Sequence, residues 1–358
     1  MEKIRVAING FGRIGRILTR LNLQRDIFDL VAINDINDDI ENLKYLLKYD
    51  SIYGKLHERL EVLGPTALQV GEQIAEVYHV KNIGDIPWYE NNIDIIIDAS
   101  GDAENHQRLS AHENKFQHYI LTSEHKDIKT IVCDINEDPS ILKSSKYICA
   151  STCDAIALSP IIKAICAKYT FDYGSIVTLH PWLSYQRLMD STYIEGLDKK
   201  DAYGLARAAG TSLIPKSTSV VKATAKLLPD YVGKIESFSY RVPTSSVSTA
   251  VINLRLNEVV SQNDIENVLN IFQVQQRFKT LSLEYENTVS IDHLGSNYSS
   301  VVDMRWNKIA ENNIQLTYWY DNEAGYCSKL LDLIEYISCC KKHTMLREDI
   351  KEEVLCTV

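Results

Sequence analysis

No stretch of this 358-residue chain reaches 18 consecutive apolar residues, so no segment is expected to cross a bilayer as a helix. Cysteine is thinly spread. Eight cysteines are scattered over the chain without the dense spacing of a secreted disulfide scaffold. Cys149 and Cys153 have no second pair at metal-ligand spacing, and no zinc site is expected. Basic residues are in deficit, 38 Lys and Arg against 48 Asp and Glu, and the net charge of −10 argues against nucleic acid or an anionic membrane as the main partner. Internal repeats and low-complexity linkers are missing. Met1 to Arg5 pass straight into a strand pattern, which does not read as a signal peptide. A reducing cytoplasm is the expected location.

What is present is enough chain for two domains, each with a full core, at an ordinary 45% hydrophobic and 24% charged. Ile4–Asn9 is a short apolar strand, Gly10-Phe11-Gly12-Arg13-Ile14-Gly15 a glycine turn, and Arg16 to about Gln24 a helix. Leu30–Asp35 is a second buried strand. Strand, turn, helix and strand make a βαβ unit, whose parallel sheet is covered on both faces. Ile93–Asp98 and Tyr119–Thr122 add parallel strands that end in small or polar residues, where ligands sit in open α/β sheets. Beyond about residue 152 the pattern changes. Ser237–Val242, Ala250–Leu256, Val301–Trp306 and Ile314–Tyr320 alternate as half-buried antiparallel strands. A final helix from about Glu323 to Cys340 carries Leu330, Leu333, Ile334 and Ile337 at helical spacing. The expected fold is α/β. A Rossmann dinucleotide-binding domain over 1–152, completed by a C-terminal helix over 322–358, joins an α+β catalytic domain over 153–321 with a mixed, largely antiparallel sheet.

The glycine pattern alone is weak, but here it follows a strand, opens a helix, and has Asp35 20 residues beyond Gly15. Gly10 permits the tight turn, Gly12 the approach of a pyrophosphate, and Gly15 the packing of helix on strand. Asp35 accepts from the ribose hydroxyls and repels a 2′-phosphate, which favours NAD over NADP.

Cys153 falls in the first turn of a helix that follows Ile148–Thr152, where exposed backbone N–H groups favour a thiolate. His180 closes the apolar run Ile176–Leu179. Thiolate, imidazole and nicotinamide together point to aldehyde oxidation through a covalent thioester. The other cysteines, at 133, 149, 166, 327, 339, 340 and 356, read as structural.

The segments Ile8–Arg16, Asn34-Asp35, Thr178-Leu179-His180, Arg207-Ala208-Ala209, Ile214–Thr218, Arg241-Val242-Pro243-Thr244 and Trp319–Tyr326 resemble the glyceraldehyde-3-phosphate dehydrogenase family. They run in the family's order from residue 4 to about 340. The resemblance implies that Cys153 is the nucleophile and that His180 activates it and assists proton transfer. Hydride passes to NAD, and inorganic phosphate cleaves the thioester. It implies that Asn322 orients the nicotinamide carboxamide and that Tyr326 lies beside the nicotinamide. Arg13, Ile14, Ser100, Gly101 and Thr122, with Gly10, Phe11 and Gly12, line the cofactor cleft. Thr152, Thr218, Ser219, Arg207 and Arg241 fall at substrate or anion positions. A homotetramer is implied by analogy.

The chain departs from the family where anions bind. The family follows its cysteine with Thr-Thr-Asn-Cys, and this chain has Asp154-Ala155-Ile156-Ala157. Asp154 repels a phosphate dianion and tends to raise the pKa of Cys153. Ser151-x-x-Asp154 also fits a capping box, and the two readings are compatible. Leu183 and Tyr185 occupy positions where the family seats the substrate's phosphate with Thr and Asp. The Asp190–Tyr203 loop is longer than the family's and lacks its arginine pair, leaving Arg207, while Ser219 replaces a Gly. Phosphate recognition needs several converging donors, so these losses matter.

The expected activity is NAD-dependent oxidation of glyceraldehyde 3-phosphate or a related small aldehyde, with phosphate as a candidate acyl acceptor. The alternatives are an altered substrate, water as acceptor (as in erythrose-4-phosphate oxidation), acyl reduction, or a non-catalytic NAD-binding regulator. The extension from Lys341 to Val358, with Met345, Ile350 and Val354 on one stripe, reads either as an added helix or as a solvated tail.

Overall fold

The computed structural model describes residues 3–102, 104–109, 115–230 and 234–355. The chain divides into two compact units. The first comprises Met1–Asp50, Gly54–Ala150 and Lys329–Val358; the second comprises Ser51–Tyr53 and Ser151–Ser328.

In the first unit, strand β1 (Ile4–Asn9) is central and almost wholly buried, as an apolar run covered on both faces must be. Helix α1 (Arg13–Arg25) follows, then β2 (Phe28–Asn34), β3 (Gln73–Tyr78), β4 (Ile95–Asp98), β5 (His118–Leu121) and β6 (Tyr147–Cys149). Among the described residues they form a nine-stranded sheet in the order 129–130, β6, β5, β4, β1, β2, β3, then 67–70 and 60–62. The strands from 129–130 to β3 are parallel, and the last two close one edge antiparallel. Buried polar residues fasten the carboxyl ends of β1, β2 and β4 to one another. Asn34 donates to Asn9 Oδ1 at 2.7 Å, and Asn9 donates to Asp98 Oδ1 at 3.0 Å. Gly10 N–H donates to the Asn34 carbonyl at 2.7 Å, so the glycine turn starts from a fixed platform.

The second unit opens with α2 (Cys153–Cys166), which packs on helices Val220–Leu227 and Gln262–Gln275. Its sheet runs β8 (Ile214–Lys216), β9 (Ile235–Arg241), β7 (Phe171–His180), β10 (Ser248–Leu256), β13 (Asn313–Tyr320), β12 (Ser300–Asp303) and β11 (Leu281–Glu284). Strand Lys308–Ala310 pairs beside β13. Ala250, Ile252, Leu254 and Leu256 of β10 are buried while the residues between them face outward, the period of two expected of a half-covered sheet.

Two expectations need correction. The strand expected at 237–242 is antiparallel to β8 but parallel to β7, because alternation marks the faces of a strand and carries no direction. The strand expected at 301–306 stops at Asp303. The Asp303 carboxylate accepts from Arg305 N–H at 3.3 Å and turns the chain into the 3₁₀ segment Met304–Trp306. The final helix, α3 (Ala324–Leu355), runs well beyond Cys340. Its entry is capped by Asp321, whose carboxylate accepts from the N–H groups of Glu323 and Ala324 at 2.9 Å. The Met345, Ile350 and Val354 stripe lies outside the described side chains, and Cys356 lies outside the described residues.

Candidate active site

The glycine turn has the properties a bound dinucleotide demands. Gly10 sits at φ +92°, and a Cβ there would lie 2.5 Å from Ser100 N, so only glycine fits. A Cβ on Gly12 would meet nothing within 4 Å, whereas one on Gly15 would strike the Gly10 carbonyl. Gly12 is the N-cap of α1 but provides no side-chain cap, and the first turn holds no acidic residue. A helix start with no side-chain cap and no acidic residue in its first turn fits a pyrophosphate. Asp35 is anchored by accepting from Phe11 N–H at 2.7 Å and Asn37 N–H at 2.9 Å. Phe11 itself is buried, and the Arg13 guanidinium pairs with Asp50. Ser100 donates to Asp98 Oδ1 at 2.6 Å, Thr122 donates to the Asp98 carbonyl at 2.9 Å, and Gly101 takes φ +80°. Ile14 lies in the first turn of α1, half-buried.

In the second unit, register gathers the reactive side chains on one sheet face. His180 is the last residue of β7 and pairs with Arg241, the last of β9. Thr178 pairs with Ser239, which pairs in turn with Lys216. Paired residues share a face, so His180, Arg241 and Lys216 all look inward. Ser248 opens β10 opposite Tyr320, on the face that also carries Ala250, the partner of Thr178. Cys153 begins α2 and is partly accessible.

Asp154 stands between thiol and imidazole. The Cys153 thiol donates to Asp154 Oδ1 at 3.0 Å, and His180 Nε2 lies 3.1 Å from Asp154 Oδ2. The other imidazole nitrogen, Nδ1, is 3.0 Å from Ser248 Oγ, while the Tyr320 hydroxyl approaches Nε2 at 3.4 Å. Burial pushes the Cys153 thiol well up, the Asp154 charge and hydrogen bond push it further, and Arg241 only partly opposes them. Of the two opposing influences expected on Cys153, burial and Asp154 prevail over the helix start. Burial pushes Asp154 up as well, but His180, the thiol and Lys216 outweigh it and bring the carboxyl down to about 2. Lys216 is lowered by burial and by Arg241, against Asp154 and Asp201.

The capping box expected of Ser151 and Asp154 does not form. Ser151 adopts φ +64°, which passes the cap to Thr152, whose hydroxyl accepts from Ala155 N–H at 3.4 Å. Asp154 is thereby free of cap duty. Arg241 donates to the Pro181 carbonyl at 3.0 Å, and its Nε is buried with no partner among the described residues. Arg207 is two-thirds exposed, paired with Asp190 at 2.9 Å, and makes no hydrogen bond or ion pair with the cluster. Thr218 accepts from Val220 N–H at 3.2 Å, and Ser219 caps helix Val220–Leu227 without a side-chain bond. Tyr185 is exposed, and Leu183 N–H donates to Gln186. Asn322 Oδ1 is buried with no partner among the described residues, and Tyr326 donates to the Ser151 carbonyl at 3.4 Å. Sequence reasoning assigned no role to Lys216, Ser248 and Tyr320, which cross-strand register brings to the cluster.

A largely parallel sheet with a glycine-rich helix start, joined in sequence to an α+β unit holding a thiol, a carboxylate and an imidazole, defines a two-unit dinucleotide-binding protein. Residues 4–106 match the NAD-binding domain of glyceraldehyde 3-phosphate dehydrogenase, and residues 152–322 match its C-terminal domain. The chain is 34% identical over 336 residues to the cytosolic glyceraldehyde-3-phosphate dehydrogenase of Magnolia liliiflora, covering 93% of this chain and 96% of that one. It is 33% identical over 341 residues to each of two further cytosolic glyceraldehyde-3-phosphate dehydrogenases, GAPC2 of Arabidopsis thaliana and that of Sinapis alba, covering 94% of this chain and 98% of each relative. The chain belongs to the glyceraldehyde-3-phosphate dehydrogenase family, and its cofactor is NAD.

Proposed function

We propose that this protein oxidises a small aldehyde with NAD through a thioester on Cys153. The observation that carries the reading is the hydrogen-bonded chain from Cys153 through Asp154 to His180 at the start of α2. Cys153 gives up its proton to solvent before attack, and as sulfur bonds to the aldehyde carbon the aldehyde oxygen takes a proton from His180. The adduct's hydroxyl later returns that proton to the imidazole. When bound, NAD supplies the acceptor for the hydride that leaves the substrate carbon. The backbone N–H groups of the Gly12 turn would hold its pyrophosphate, and Asp35 its ribose. Asn322 Oδ1 has the unused acceptor that the nicotinamide amide requires.

Lys216 and Arg241, the cations that act on Cys153 and Asp154, favour a substrate bearing an anionic group. Glyceraldehyde 3-phosphate, the aldehyde in the relatives' names, is the first such substrate to try. The test is NADH formation from this aldehyde and from unphosphorylated small aldehydes, with Cys153→Ala beside the wild type. Turnover that disappears in Cys153→Ala is expected, and turnover that survives the substitution would sink the thioester route. The relatives' cytosolic names and the family resemblance extend the reading to a cytoplasmic homotetramer. Light scattering should then give four times the 40.7 kDa chain mass.

A further inference from the structure

We infer that Asp154 is the base that delivers water to the Cys153 thioester, so that the acyl group leaves as the free acid. The inference rests on the thioester reading above and concerns the step that follows it.

The geometry turns on what acylation does to Asp154. In the free protein the Cys153 thiol proton occupies Oδ1 at 3.0 Å, and His180 holds Oδ2 at 3.1 Å. Acylated sulfur has no proton to donate. Oδ1 then has a lone pair without a donor, 3.0 Å from the sulfur that carries the acyl carbon. Oδ2 stays fixed by His180, which is itself held from behind by Ser248 at 3.0 Å. A carboxylate so anchored is positioned to take a proton from a water attacking that carbon. It also repels a dianion approaching along the same line. Lys216 and Arg241 face the same cluster and supply compensating positive charge, which leaves them available to the substrate's own anionic group.

The atoms balance without a further reagent. The water oxygen bonds to the carbonyl carbon, one water proton goes to Asp154, and the carbon–sulfur bond breaks. Sulfur leaves with the bonding pair and recovers its proton from Asp154. One water is consumed and one carboxylic acid formed for each thioester.

The test separates this step from the oxidation by loading the thiol independently. p-Nitrophenyl acetate acylates Cys153, and intact-mass spectrometry follows loss of the acetyl group in oxygen-18-labelled water with and without inorganic phosphate. The expected result is labelled acetate, at a rate that phosphate leaves unchanged. Asp154→Asn should slow deacylation by about 100-fold, within the usual range for a lost general base. The same substitution should speed acylation, because a negative charge beside the thiol is gone. A loss of structure would slow both steps, so the opposite signs isolate the role. Acetyl phosphate as the product, more than tenfold acceleration by phosphate, or an Asp154→Asn enzyme that deacylates at the wild-type rate would each overturn the inference and leave the thioester reading standing. Absence of acylation at Cys153 would overturn the thioester reading itself. Should Asp154→Asn fail to fold, the wild-type label and phosphate measurements decide alone.

Discussion

Asp154 governs its neighbours through charge at close range. A carboxylate held at 3.0 Å disfavours the Cys153 thiolate, so the thiol should remain largely protonated at neutral pH. Iodoacetamide alkylation of Cys153 should therefore climb with pH through a midpoint above the ordinary thiol range. Asp154→Asn removes the opposing charge, which lowers that midpoint and raises the rate at pH 7. An unmoved midpoint would mean that burial alone sets the thiol. The carboxyl itself falls from 3.8 to about 2 because His180, the thiol and Lys216 outweigh burial. A depressed folded value contributes stability above the unfolded pKa that disappears as pH falls through the folded one. Asp154 should thus add roughly 2 kcal/mol near neutrality, lost between about pH 4 and pH 2. Urea unfolding at several pH values should show a shallower acid slope in Asp154→Asn. Beside this pair, Ser151 combines φ +64° with a buried hydroxyl that has no partner among the described residues. Ser151→Gly relieves both and should stabilise the protein by about 1 kcal/mol in the same assay.

At the scale of elements, the parts legible in the sequence were those with local signals. Gly10, Gly12 and Gly15 differ in why they are glycine, and the surroundings of each separate them. Gly15→Ala would drive a methyl against the Gly10 carbonyl and Ile8, at a cost of roughly 1–3 kcal/mol. Gly12→Ala meets open space, so its melting temperature should match the wild type while NAD binding weakens by about tenfold or more, equivalent to at least ~1.4 kcal/mol. Calorimetric titration with NAD checks this, and unchanged affinity would remove Gly12 from the pyrophosphate site. Cys153 and His180 were legible because each ends an apolar run or starts a helix. Lys216, Ser248 and Tyr320 were not, because only strand pairing brings them to His180, across 36, 68 and 140 residues of chain (216 − 180, 248 − 180 and 320 − 180). Asp154 was legible as a residue but ambiguous in role. One positive φ at Ser151 moves the helix cap by a residue and turns a capping carboxylate into a member of the site. The direction of β9 was hidden for a related reason, since alternation is the same in parallel and antiparallel pairs.

The first unit, assembled from both ends of the whole chain, is bound by charge as well as by its core. Asp332, on the late helix α3, is only 2% exposed. It pairs with Lys329 at 2.5 Å and with Arg25 of α1 at 2.7 Å. Arg25 also reaches Glu335 at 2.9 Å, and Lys341 reaches Asp94 at 2.8 Å. Lys329 is itself 3% exposed, so its charge has little access to water. A buried ion pair gains little net stability over an apolar pair of the same volume, but removing one partner strands the other's charge. Asp332→Asn should therefore destabilise the first unit by about 3 kcal/mol. For a unit of this size that lowers the melting temperature by roughly 6–12 °C. The paired substitution Lys329→Met with Asp332→Leu removes both charges and should recover much of the loss, because Arg25 keeps Glu335. NAD binds the folded first unit, so saturating cofactor should raise the melting temperature of every variant by mass action. Thermal unfolding of the three proteins with and without NAD tests the account. If the double variant is as unstable as Asp332→Asn, the two charges do not act as a pair, and the stability of the helix end has another source.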